Sequence, residues 1–514
     1  MDSNLGPLGY IPAKHPLMLL VTIMLSTMVI SLDSTIANVA LPHIQGSLSA
    51  TQGQISWVLT SYIVATAIFT PPTAYLAARM GRQSLMAWGI GGFLISSMLC
   101  GVATSLTEMV IFRIFQGAFG AILGPVGQAL VMDHFPPAKR GLVLSIWGGG
   151  AMLGPIVGPT LGGYLTEDLT WRWVFFINFP VCVLALVGVW SFIPKSEIKA
   201  NQRFDIFGFS LLSIVLASFQ LMLDRGQSAN WFQSTEIMIE GATAALSLYL
   251  FIVHIYTDKN PFIEPRLFKD RNLVSGLLLV MASNVVMMGQ MALLPNFLQQ
   301  LMQIPADVTG KLMLPRGISA MLGMVISGRF IGRVDSRWMM AFGLTGTAIS
   351  MYEMSKINLN VDNFTILNIG FQQGFCMSVL MAPMTSAVFA TLAPALRTEG
   401  SAMYALMRSI GGSIGISMFF TRIAQHSQIN HERLGENITA FAHNDLLPQA
   451  WNWSTTAGAM ALNAEVSRQA SSLAYLNSYS LMTLITVITI PLCFLFKIPK
   501  QEVSPELKAM AIEH

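Results

Sequence analysis

Charged side chains are scarce in this sequence. Only 11% of its 514 residues are Asp, Glu, Lys or Arg, against roughly 25% in an ordinary soluble protein. A water-soluble domain so poor in charge could not cover its surface. Cysteine is scarce too. Cys100, Cys182, Cys376 and Cys493 each sit inside an apolar run, and no two form a C-x-x-C pair. That argues against a disulfide framework and a zinc centre, and leaves four small buried hydrophobes. No nucleotide loop, metal cluster or nucleophile–base pairing is legible, so neither an enzyme nor a bound cofactor or metal is expected. The net charge of +3 is spread along the chain and offers nucleic acid no basic patch.

What is abundant is apolar sequence: 53% of residues are hydrophobic and the mean hydropathy is +0.58. A membrane helix needs about 20 mostly apolar residues, and about fourteen such stretches can be found. They lie near 17–41, 55–77, 85–105, 108–132, 141–165, 174–194, 206–223, 236–256, 273–300, 309–331, 338–356, 364–390, 399–421 and 479–497. Gly, Ser and Thr dilute the tenth, eleventh and thirteenth. Lys14 precedes the first run, but no clear small-residue cleavage site follows it, so a retained first span is expected rather than a signal peptide.

Loop charges give the topology. If both termini are cytoplasmic, nineteen of the 29 lysines and arginines fall on that side and eight, Arg316 among them, on the other. Arg113 and Arg408 fall within spans. The bias satisfies the positive-inside rule, and a miscount by one span would erase it. Residues 422–478 then form a long polar outer loop, read as a helical pair over the outer mouth or a docking surface. His426, His431 and His443 lie in it at spacings that share no helix face, so no metal site is expected there.

Ionisable groups inside spans are costly and are functional candidates. Asp33, in Leu32-Asp33-Ser34-Thr35-Ile36-Ala37-Asn38-Val39-Ala40-Leu41-Pro42, could load and release a proton; the other reading is an anchor that hydrogen-bonds a neighbouring helix. Arg113 begins Arg113-Ile-Phe-Gln116-Gly117-Ala-Phe-Gly120-Ala121. A guanidinium keeps its proton and needs a counter-charge, a carbonyl cluster or water, and Asp33 is one candidate. Arg408 is also deep. The fifth span reads Gly154-Pro155-Ile-Val-Gly158-Pro159-Thr-Leu-Gly162-Gly163. Glycine at every fourth residue makes a flat face for close helix approach, and each proline permits a bend.

Together these segments resemble the major facilitator superfamily, and within it the fourteen-span drug:proton antiporter branch of EmrB/QacA type, closer to the EmrB multidrug efflux proteins. Arg113, Gln116 and Gly117 match the superfamily's fourth-helix motif, associated with proton transfer. The Gly154–Gly163 run matches the fifth-helix motif associated with exporters. Trp57-Val-x-Thr60, Pro136-Pro137-x-Lys139-Arg140, Phe175-Phe176-Ile177-Asn178, Leu223-Asp224-Arg225-Gly226 and Gly411-Gly412-Ser413 agree with it. One departure stands out. In the loop Ala74-Tyr75-Leu76-Ala77-Ala78-Arg79-Met80-Gly81-Arg82, Ala78 occupies the place of the family's Asp. The related Gly328-Arg-Phe-Ile-Gly332-Arg333-Val-Asp335-Ser-Arg337 loop lacks it as well. The charge cluster that locks such transporters outward-facing is therefore expected to be altered or weaker.

The expected fold class is an all-α polytopic membrane protein: the major facilitator fold, two six-helix bundles plus two inserted helices. The N-terminal bundle spans 1–200, the inserted pair 201–260 and the C-terminal bundle 261–514. Asp33 and Arg113 are the proton-coupling candidates. Asn38, Trp57, Tyr62, Gln116, Asn284, Gln290 and Gln372 are candidate cavity residues. Arg79, Gly81, Arg82, Gly154, Pro155, Gly158, Pro159, Gly162, Gly163, Arg333 and Arg408 are candidate gating residues. The 33 methionines and 30 phenylalanines suit a cavity for varied ligands or a lipid-facing surface. The resemblance implies proton-driven export of lipophilic toxic compounds across a bacterial inner membrane. It also implies a periplasmic membrane-fusion adaptor and an outer-membrane channel as partners. Rival readings are an exporter of one metabolite or siderophore, and a non-transporting receptor or scaffold.

Overall fold

A computed structural model describes residues 13–497 apart from 56, 196–203, 259–260, 332, 394–395, 437–450 and 452–454. The side chains of some helix residues, Pro155 and Pro159 among them, also lie outside the described residues. The described residues are predominantly helical, and among them the only strand-like feature is an isolated bridge between Ile331 and Val334.

The helices are, in order, α1 (Pro16–Ser47), α2 (Gln52–Ile55), α3 (Trp57–Phe69), α4 (Thr73–Met80), α5 (Arg82–Val102), α6 (Leu106–His134), α7 (Pro137–Tyr164), α8 (Trp173–Phe176) and α9 (Asn178–Phe192). There follow α10 (Ile206–Arg225), α11 (Thr235–Thr257), α12 (Arg271–Asn296), α13 (Ala306–Phe330), α14 (Ser336–Met354), α15 (Asn363–Val388), α16 (Arg397–Gly435) and α17 (Thr456–Thr489). Polar residues mark several starts. Ser105 caps α6, Asp205 caps α10, Asp270 caps α12 and Asp362 caps α15, each accepting a backbone N–H from the first turn.

Among the described residues, nine helices are long and apolar enough to cross a bilayer. The expected second, fifth, tenth, eleventh and thirteenth spans are helical but fall short of that measure, for composition reasons. The second is interrupted by Pro71 and Pro72 between α3 and α4, and the others carry more Gly, Ser, Thr or charge. Along α11, apolar side chains such as Leu246, Tyr249, Ile252 and Tyr256 are exposed. So continuous an apolar surface has lipid as its natural neighbour.

Two sets of six spans repeat one packing scheme. In the first, α1 packs on α7 and α9, α6 on α3 and α5, and α5 on α9. In the second, α12 packs on α16 and α17, α15 on α13 and α14, and α14 on α17. Small residues allow the closest approaches. A side chain at Gly154 would meet the backbone of Ser31 and Leu32 in α1, and one at Gly158 would meet Thr35. In the second set, Gly411 and Gly415 of α16 lie against the carbonyls of Met281 and Val285 in α12. The sets touch through α7 and α13, where Gly148 faces Met324 and Gly328 faces Ser145. The pair α10–α11 adds to both sets, α10 touching α3 and α16.

The expected outer loop at 422–478 is largely helical. α16 continues to Gly435 and α17 begins at Thr456, so the last two spans extend beyond a membrane's thickness. Ser427 and Ser471 hydroxyls pair at 2.8 Å, and His431 pairs with Asn463 at 3.0 Å. His443 lies outside the described residues.

Candidate functional site

Asp33 lies midway along α1 and is fully buried. A carboxylate there needs donors, and two neighbouring helices supply three of them. Arg113 Nη1 of α6 donates to Asp33 Oδ2 at 2.7 Å, Gln116 Nε2 to Oδ1 at 2.8 Å, and Asn178 Nδ2 of α9 to Oδ1 at 2.9 Å. Arg113 is equally enclosed. Its Nε donates to the Val58 carbonyl at 3.1 Å and its Nη1 also reaches Gln116 Oε1 at 2.8 Å. The Tyr62 ring lies 4.4 Å from the guanidinium carbon and the Phe175 ring 5.8 Å. Asn178 also donates to Ser97 Oγ, which donates to the Phe175 carbonyl, both at 2.9 Å. Burying such a pair is expensive, and removing one partner strands the other charge at about 3–5 kcal/mol.

The packing explains why the pair closes. Gln116 follows Arg113 by three residues, which puts both on one α6 face. Gly117 presses against the Tyr62 carbonyl of α3, drawing Tyr62 over Arg113. Arg113 Nη2, Asn178 Oδ1 and Tyr62 Oη are buried without a hydrogen-bond partner. The cluster therefore holds spare polar capacity beside the carboxylate.

The two proton-coupling candidates are thus in contact, but several expected cavity residues are placed otherwise. Gln116 and Tyr62 belong to the buried ion-pair cluster. Asn284 and Gln290 are enclosed in α12, with Asn284 donating to the Val280 carbonyl at 3.0 Å. Gln372 and Trp57 are half-buried, and Asn38 is exposed on α1. Of the α7 glycines, 154, 158 and 162 face α1, while Gly163 faces open space. Gly81 has a positive φ of 79°, the backbone reason for glycine between α4 and α5. Arg333 and Arg408 are exposed, and Arg79 donates to Tyr75 Oη at 2.8 Å.

The charge cluster beside Ala78 was expected to be altered or weaker, and its carboxylate here comes from elsewhere. Asp133, at the end of α6, supplies a carboxylate from another helix. It pairs with Arg82 and with Arg397 of α16, Arg397 Nη1 lying 3.2 Å from Oδ1. Arg82 Nη2 also donates to Thr398 Oγ1 at 3.0 Å. These contacts tie the first six-helix set to the second. At the far end, Thr60 Oγ1 donates to Asp224 Oδ2 at 2.5 Å, and Ser417 Oγ to the Leu223 carbonyl at 2.6 Å, so α10 touches both sets. Asp133, Arg397, Ser97 and Ser417 were not legible as site residues, because their partners lie far away in sequence. Asn178 and Asp224 were legible only as parts of matching segments.

A buried ion pair between two helices, set in twin six-helix bundles with a charged clasp between them, fits a membrane transporter rather than an enzyme. The chain belongs to the Major Facilitator Superfamily, whose pattern it matches over residues 23–416. It is 35% identical over 437 residues to the multidrug export protein EmrB of Escherichia coli K12, covering 84% of this chain and 85% of that one. It is 33% identical over 438 residues to the fatty acid resistance protein FarB of Neisseria gonorrhoeae, covering 85% and 86%. Among solved structures it is similar to the human organic anion transporter MFSD10 at a TM-score of 0.63 and 13% identity, covering 93% and 99% of the two chains. A double Trp mutant of XylE is similar at a TM-score of 0.60 and 14% identity, covering 97% and 100%. At such identity these two likenesses are of fold alone. The protein is a multi-pass membrane transporter.

Proposed function

We propose that this chain is a proton-coupled multidrug efflux antiporter of a bacterial inner membrane, working by alternating access. The carrying observation is the Asp33 carboxylate, fully buried and held by Arg113, Gln116 and Asn178. A proton arriving at Asp33 would neutralise it and remove the counter-charge of Arg113. Arg113 would then keep Gln116 Oε1, the Val58 carbonyl and the Tyr62 and Phe175 ring faces as partners. That exchange loosens α1 from α6 while the glycine face of α7 guides its movement. Proton binding in this way would favour one arrangement of the bundles over the other.

With both termini cytoplasmic, the Arg82–Asp133–Arg397 clasp lies at the cytoplasmic end and ties the two bundles together there. Lipophilic compounds would enter from the inner leaflet, and a periplasmic adaptor with an outer-membrane channel would carry them on. The EmrB relative's name supports export of toxic compounds in general. The FarB relative's name favours a second, narrower reading, a dedicated exporter of one metabolite class.

The test is uphill efflux of a lipophilic dye from energised vesicles. Wild-type efflux should collapse with a protonophore, and Asp33→Asn should lose uphill efflux while still binding the dye. Uphill efflux by Asp33→Asn would sink the assignment.

A further inference from the structure

The second six-helix set holds a deep cation of its own. The sequence placed Arg316 among the outer charges. Instead it lies ten residues inside α13, about 15 Å from the start of that helix at 1.5 Å per residue. Among the described residues no carboxylate pairs with it. Its Cβ packs near Gly370 of α15, and its carbonyl lies against Gly374. Gln373 shares that α15 face and is buried with its Oε1 unpartnered.

Tyr479 of α17 is fully buried with an unpartnered hydroxyl. One turn before Arg316, Leu312 joins an apolar cluster with Ile366, Ile369, Phe419 and Tyr479. Half-buried Arg316 thus sits one helical turn from an apolar cluster whose Tyr479, like Gln373 on the facing α15, carries an unpartnered polar atom.

We propose that Arg316, with Tyr479 and Gln373, binds the carboxylate of an amphipathic organic acid whose apolar part rests on that cluster. This rests on the export reading above and names a substrate class for it. A guanidinium keeps its charge and presents a planar fork that matches a carboxylate, so an acid is the ligand it favours most. Tyr479 would add an O–H donor, and the Gln373 amide can turn its nitrogen toward the ligand. A neutral lipophile would fit the apolar cluster without the anchor, and a cation would be repelled.

Binding to the purified full-length protein tests this, read by competition with a lipophilic dye. The probes are decanoate below its micelle concentration, methyl decanoate and decyltrimethylammonium. Wild-type protein should bind decanoate at least tenfold more tightly than the ester. Arg316→Gln should lose at least tenfold in decanoate affinity and keep its ester affinity, with Arg316→Lys intermediate. Equal wild-type affinity for decanoate and its ester overturns the proposal whether or not any variant folds. So does a folded Arg316→Gln that still prefers decanoate. Proton-driven dye efflux by wild type separates the two ideas: if efflux persists without an acid preference, only the Arg316 site fails. If wild type drives no efflux, the export reading itself fails.

Discussion

The two six-helix bundles pair their helices in the same order, yet one buries a cation with its counter-ion and the other holds a half-buried cation that no described carboxylate meets. In the first, Arg113 is bonded to Asp33, and Gln116 and Asn178 complete the shell. In the second, Arg316 lies one turn from Leu312 and the apolar cluster that includes Tyr479, and no described carboxylate meets it. A closed pair is suited to a small titrating cargo, because a proton alone changes its bonding. An open cation is suited to a ligand that brings its own charge. One packing scheme can thus carry two tasks, divided between its halves.

The largest expected effect breaks the closed pair. Asp33→Asn should abolish proton-driven efflux and lower the thermal stability of the detergent-solubilised protein, by an amount on the order of 3–5 kcal/mol, because Arg113 is left without a counter-charge. Adding Arg113→Met should restore much of that stability without restoring transport. If Asp33→Asn alone leaves the melting temperature unchanged, the pair is not what holds α1 to α6.

Arg316→Gln sharpens the contrast. It strands no partner, so melting should shift far less than for Asp33→Asn, and a comparable loss would refute the asymmetry between the bundles. Next comes the α1–α7 contact. Gly154→Leu forces a side chain into the α1 backbone and should cost about 1–3 kcal/mol and most of the transport rate. Gly163→Ala meets open space and should change neither, which a paired efflux and melting assay can check.

The clasp between bundles is a smaller lever. Asp133→Asn releases Arg82 and Arg397 and should shift the balance between open states by roughly five- to thirtyfold, the equivalent of one or two kcal/mol. Spin-label distances between the ends of α4 and α16 would show the widening, and an unchanged distribution would dismiss the clasp.

The smallest effect concerns Asp205, outside the membrane at the start of α10. Burial pushes its carboxyl up, but the Gly208 and Phe262 N–H groups and His254 outweigh burial and leave it below the ordinary carboxylate range. A depressed value means the stabilisation is present above the unfolded carboxylate pKa, about 4, and is lost as pH falls through the folded value. Melting curves across that window should steepen in wild type and flatten in Asp205→Asn.

Much of the architecture was legible in residues alone. Long apolar runs mark spans, and the side bias of Lys and Arg sets the expected topology, since lipid tolerates neither bare backbone nor free charge. The cost of burying charge singled out Asp33 and Arg113, and glycine spacing singled out the α7 face. The rest depended on which faces meet. Nothing local in sequence says that Asp133 takes the role denied to Ala78, that Tyr62 and Gln116 turn into an ion-pair cluster, or that α16 and α17 continue as helices past the membrane. Helix rotation decides whether a polar group lines a cavity or vanishes into a core, and rotation is set by neighbours distant in sequence. For the same reason Arg316 read as one more outer charge. Sequence determined that ionisable groups lie within these helices. Only tertiary packing decided that Asp33 and Arg113 share one bond network, while Arg316 sits one turn from an apolar cluster with no described carboxylate beside it.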